Sequence, residues 1–140
     1  MKNLVMIGRL VFGAWMLVNG VNHFGTLSGS FSLFAEPVGT QPLAVQLMAA
    51  FNHSSLINVA YAIQLIGGAL VLAGVFTPFA LCALMPVSTC AAYWAVVLEH
   101  EPVGALLALV AFALNGLLML AYVDYYKGVL ARYAPTLGEA

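Results

Sequence analysis

The run LVMIGRLVFGAWMLVNGVNHF, Leu4–Phe24, decides the fold. Almost every side chain up to Val18 is apolar, and then two amides and an imidazole arrive within Asn19-Gly20-Val21-Asn22-His23-Phe24. About 20 mostly apolar residues in a helix cross about 30 Å of hydrocarbon. In such a helix Asn19, Asn22 and His23 stand at i, i+3 and i+4, on one face. Polar groups placed there need partners from other helices or from water. The face therefore reads as the rim of a pocket at one end of a membrane bundle. Lys2 before an apolar run also has the outline of a signal peptide. The run is longer than a signal core, and no small-x-small cleavage site follows it cleanly, so a retained span is expected.

The rest of the composition agrees. The 140 residues leave room for one domain, 1–140, and 64% of them are apolar against 6% charged. A soluble chain carries about 25% charged residues, so lipid must cover most of this surface. A net charge of −1 offers no electrostatic footprint for nucleic acid. Cys82 and Cys90 lie in one apolar run, at neither a redox nor a zinc spacing, and read as buried structural thiols.

Three more segments are long enough to span, giving about 4–24, 57–76, 78–98 and 103–126. Each must be helical, because an open strand edge finds no partner in lipid. The expected fold is an all-α integral membrane four-helix bundle. Gly74 suits a helix end and Pro78 a first turn, and Pro102 opens the last span after Glu99-His100-Glu101. Turns this short make the helices antiparallel neighbours. The first connection, Gly25–Leu56, is long. It starts turn-rich, breaks at Glu36-Pro37 and Gly39, and then supports a short interfacial helix from Pro42 to about Phe51. Long ordered loops often carry function; this one either folds over the bundle's end as a lid or seals lipid contacts.

Four spans put both termini on one side. Lys2, Arg9, Lys127 and Arg132 cluster there and the opposite loops contain no Lys or Arg, so the positive-inside rule places both termini in the cytoplasm of a bacterial-type (inner) cell membrane. Small residues such as Gly13, Gly20, Gly67 and Gly68 are suited to close helix packing. Pro86 should kink the third span, with Ser88 and Thr89 able to satisfy freed backbone groups. Arg9 and Asp124 lie at similar depth, and an ion pair between them would lower the cost of placing either in the membrane.

Two readings fit the mid-membrane polar groups Asn19, Asn22, Gln64, Ser88, Thr89 and Asn115. They serve as interhelical glue, or with His23 they line a cavity for a lipid-like head group such as a quinone. His23, His53 and His100 gather at the outer end with Glu36, Glu99 and Glu101. His23, His53, Glu99, His100 and Glu101 have ligand chemistry for a metal or haem, yet without any motif spacing. The other readings are solvated rim residues or a wet histidine cluster that passes protons to a quinone pocket. No phosphate loop, nucleophile elbow or dinucleotide fingerprint is present, so no catalytic residue is assigned.

Several blocks resemble the DoxX-like membrane family. Gly8-Arg9-Leu10 opens the first span, Asn19-Gly20 to His23-Phe24 closes it, and Gln64-Leu65-Ile66-Gly67-Gly68 leads into Leu72-Ala73-Gly74-Val75-Phe76-Thr77. The resemblance covers about Met6–Tyr126. Many relatives carry a glutamate where this chain has Gln64, which removes the acid a proton relay would use there. The resemblance implies a four-helix integral membrane protein. Some relatives look like subunits of thiosulfate:quinone oxidoreductase, and others are associated with oxidative-stress membrane complexes. The expectation is a membrane subunit or scaffold of a redox-linked complex, with a protein partner or a homo-oligomer. The alternatives are a quinone-linked oxidoreductase with an outer-side pocket and a metal- or haem-binding membrane protein.

Overall fold

The computed structural model describes residues 2–36 and 38–127; Arg132, counted above among the basic flank, and Pro37, read as part of a break, lie outside them. The helices are α1 (Lys2–Leu27), α2 (Pro42–His53), α3 (Leu56–Ala73), α4 (Thr77–Tyr93), α5 (Pro102–Ala121) and α6 (Val123–Tyr126). A π-helical segment, Trp94–Glu99, continues α4, and no strand occurs among the described residues. Four segments are long and apolar enough to cross a membrane: Asn3–Leu27, Leu56–Ala73, Thr77–Glu99 and Pro102–Ala121. No more than 28% of the most apolar window of any of them is buried within the chain. The rest is apolar surface that water would not solvate, so the chain is a multi-pass membrane protein.

The junctions follow local chemistry. Gly74 ends α3 in the left-handed region at φ 75°, where a Cβ would be strained. Pro78 sits in the first turn of α4, and Pro102 opens α5. Glu101 caps α5, its carboxylate accepting from the amides of Val103 and Gly104. The fourth span is shorter than expected: Tyr122 leaves helical geometry at φ −104° and ψ 18°, so Val123–Tyr126 forms a separate turn. Within α4, Thr89 Oγ1 donates to the Met85 carbonyl at 2.8 Å, one turn back and next to Pro86.

The spans run up and down in chain order, and α5 returns to contact α1. The tightest seam joins α1 to α3. A Cβ on Gly13 would stand 2.7 Å from the Leu72 nitrogen, and one on Gly20 would stand 2.7 Å from the Leu65 backbone. Residue numbers rise along α1 as they fall along α3, as antiparallel neighbours require. The absence of side chains there lets the two backbones meet, which is how helices associate where no hydrophobic effect drives them.

The bundle differs between its two ends. Call the end holding Lys2 and Ala121 proximal and the end holding His23 distal. Phe12, Met16, Val71, Ala80, Leu81, Leu84 and Leu118 form one buried cluster in the proximal half. Gly8 lets α1 meet Leu114 and Leu118 of α5 there. No buried cluster of that kind fills the distal half among the described residues. That half is hollow, and α2 lies across it, packed on α3 and on the π segment.

Candidate functional site

The hollow is a cavity of about 470 Å³ bounded by α1, α3, α4 and α5. Its walls are mostly apolar, and α2 contributes Met48 and Phe51 at the distal end. Ligand pockets are typically about 300–1,000 Å³, apolar, with a few polar groups that orient the occupant. Its polar groups include the amides of Asn19 and Gln64 and the hydroxyl of Ser88. Asn19 and Gln64 each lie eight residues from the distal end of their helix, about 12 Å deep at 1.5 Å per residue. Asn19 spends its Nδ2 on the Trp15 carbonyl at 2.7 Å, which leaves its Oδ1. Gln64 has no hydrogen-bond partner among the described residues. Trp15 and Trp94, the chain's two tryptophans, both line the cavity.

Behind the wall, Asn115 Nδ2 donates to Ser88 Oγ at 3.2 Å, joining α5 to α4. Asn115 is fully buried, and its Oδ1 has no hydrogen-bond partner among the described residues; the Trp94 indole nitrogen is buried in the same condition. Buried polar atoms left unpaired are costly; of these two, Trp94 lines the hollow and Asn115 lies one hydrogen bond behind its wall.

At the distal rim the amides and imidazole of α1 hold the long connection. Asn22 accepts from the Leu33 amide at 2.7 Å and the Phe34 amide at 3.1 Å, and donates to the Phe34 carbonyl at 3.1 Å. His23 is buried, with Nδ1 2.8 Å from Glu36 and Nε2 2.8 Å from Asn58 Oδ1. Its ring stacks on Tyr61 at 4.0 Å and 10°, and Tyr61 also lines the cavity. A smaller polar pocket of about 240 Å³ lies outside this stack, between His23, Thr26, Glu36, Asn52 and Asn58. Gly25 leaves the space that the Phe31 ring occupies.

Of the residues singled out from the sequence, the structure brings Asn19 and Gln64 to the cavity. It places Asn115 one hydrogen bond behind its wall, and Asn22 and His23 at the rim. The outer His and Glu residues do not converge. Glu99 accepts from the Thr40 amide at 2.9 and 3.0 Å and from the Thr40 hydroxyl, Glu101 caps α5, and His53 and His100 are exposed. Among the described residues no group of three or more His, Cys, Asp or Glu side chains is arranged to hold a metal ion. At the proximal end the anticipated Arg9–Asp124 pair does not form. Asp124 instead meets Lys127 at 2.6 Å, three residues on, where both are exposed. The Arg9 guanidinium lies against the turn at Gly74. The reason is reach: Lys127 is on the same turn of chain, and the break at Tyr122 takes Asp124 out of the fourth span. Cys82 and Cys90 are free, and both are exposed rather than buried as expected.

Tyr61, Trp15 and Trp94 were not visible as site residues, because cavity walls and packed helix faces share one apolar composition; Ser88 stood out only as a polar group inside a span. Glu36 stood among the outer carboxylates, and the structure pairs it with His23; Thr40 carried no signal, since its partner Glu99 comes from a distant helix end.

The family model described as DoxX matches residues 4–97, more than half of the chain. The match takes in every cavity-lining residue except those of α5. No curated protein and no solved structure matches the chain.

Proposed function

The chain belongs to the DoxX family, and on that premise we propose that it is the membrane subunit of a redox-linked complex and holds a quinone-class molecule in the distal cavity. The observation that carries this reading is the cavity itself: about 470 Å³ of apolar wall, with the Gln64 amide and the Ser88 hydroxyl as uncharged donors. A quinone head group is a flat apolar ring with two carbonyl acceptors, and its tail is at home in lipid. Donors of this kind bind carbonyl oxygens without bringing a charge into the membrane, where charges are costly. In the same reading the basic residues lie in the cytoplasm, so the distal rim faces the outer side of the cell membrane. The chain works with a protein partner that supplies or accepts electrons, or as a homo-oligomer within such an assembly.

Purification in a mild detergent tests this directly. Mass spectrometry of the purified material is expected to find a cofactor-bearing redox protein in fixed ratio and a quinone in the solvent extract. A solitary chain that carries no quinone, and that binds no added quinone analogue, would overturn the reading.

A further inference from the structure

Helix α2 is attached to the bundle in an unusual way. It has twelve residues, of which only Ala44 is fully buried, while Leu43 and Val45 face outward. Its C-terminal end joins α3 through two residues, Ser54 and Ser55, and Ser55 sits at φ 57° in the left-handed region. A non-glycine residue there is strained and persists only where its surroundings hold it. At the other end, the chain just before α2 is held by one polar clamp. The Thr40 amide and hydroxyl both donate to the carboxylate of Glu99, which is 8% exposed. Gly39 allows the tight approach to Ala44 and Val45 that brings Thr40 to it.

Glu99 is the last residue of the π-helical segment, and such segments recur at functional sites. Between clamp and junction, Met48 and Phe51 form the distal part of the cavity wall.

We propose that α2 is a lid on the distal cavity, hinged at Ser54–Ser55 and latched by Thr40 on Glu99, through which the cavity is filled and emptied from the distal face. The geometry suits this role. A helix of that length is about 18 Å long, so a rotation of about 20° at the hinge lifts its latched end by about 6 Å. That displacement breaks the Thr40–Glu99 bonds; on the same arc Met48 moves about 3 Å and Phe51, beside the hinge, about 2 Å, and of the residues of α2 only Ala44 leaves full burial. A charged acceptor makes the latch strong when made, and the polar part of the hold on this end of α2 gathers on the one carboxylate of Glu99. The lid does not depend on which molecule the cavity holds.

Cys90 reports on it. This free thiol lines the cavity, and the other cysteine, Cys82, can be removed by Cys82→Ala. Cys90 is exposed within the third span; in proteoliposomes hydrocarbon covers that side, so a charged thiosulfonate, which cannot cross it, reaches the thiol from the cavity, past α2. At fixed pH, Glu99→Gln and Thr40→Val are each expected to speed labelling at least about tenfold, the factor that follows from losing a hydrogen bond to a charged group. His53→Ala, on the exposed side of α2, should label at the parental rate. Should Glu99→Gln fail to fold, Thr40→Val keeps its carboxylate partner and carries the test alone. Unchanged labelling in variants that elute as single species would overturn the lid, as would parental labelling as fast as that of the detergent-unfolded chain.

Discussion

Replacing Gly68 by alanine should separate α1 from α3. A Cβ at Gly68 would fall on the Leu17 amide nitrogen and stand 2.9 Å from both the Gly13 carbonyl oxygen and Leu17 Cα. Carbon atoms prefer about 3.5–4.0 Å, so the helices must part by about 1 Å or shift register. A gap of that size forfeits a quarter to a half of each dispersion contact along the seam, and overpacking at rigid backbone costs about 1–3 kcal/mol. For a chain of this size, about 2 kcal/mol lowers the melting temperature by about 4–8 °C. Circular dichroism melts in one detergent measure it, with Gly20→Ala expected to behave alike, because its Cβ would stand 2.7 Å from the Leu65 backbone. Gly116→Ala is the control. Nothing lies within 4 Å of that position, and alanine in a helix interior is favoured over glycine by up to about 1 kcal/mol, so this variant should melt at or above the parent. If Gly68→Ala melts within about 1 °C of the parent, the seam does not hold the bundle together and the packing account is wrong.

Other outcomes follow from the polar contacts. Asn22→Ala removes three hydrogen bonds to Leu33 and Phe34; limited chymotrypsin digestion should then cut near Phe31–Phe34 several-fold faster than in the parent. Ser88→Ala leaves the Asn115 amide buried without its acceptor, at a cost of about 1–3 kcal/mol. The double variant Ser88→Ala with Asn115→Leu should recover most of that loss in the same melts, since removing both partners of a buried bond is close to neutral. Asp124→Ala should leave folded yield unchanged, because an exposed pair with Lys127 contributes about 0–1 kcal/mol.

Much of this architecture is written in local pattern. Four apolar runs, the glycine and prolines at their ends, and the helix from Pro42 are all visible from residue type and spacing, because lipid leaves a backbone few choices. What escapes local reading depends on contacts across the chain. Thr40 meets Glu99 from 59 residues away, and no periodicity announces it. Glu36 finds His23 through a connection without secondary structure. Arg9 and Asp124 look like partners by depth alone, but the break at Tyr122 and the nearness of Lys127 decide otherwise. The hollow is the hardest feature to foresee. Phe12 packs solidly while Trp15, Met16 and Asn19, within two turns of it, border the void. Asn19 and Gln64 showed as unusual because an amide inside a membrane helix needs a reason; Trp94 did not, because an indole there needs none.

The cavity is the centre of the account, and its two tryptophans give a direct reading of it. Titrating the purified chain with a short-tailed quinone analogue should quench Trp15 and Trp94 fluorescence along a saturable curve. A cavity-filling Ala108→Phe variant that still melts cooperatively should lose the saturable phase. Quenching that rises linearly without saturation, equal in the parent, the filled variant and a tryptophan analogue dissolved in the same micelles, would show that nothing binds in the distal half and would contradict the account.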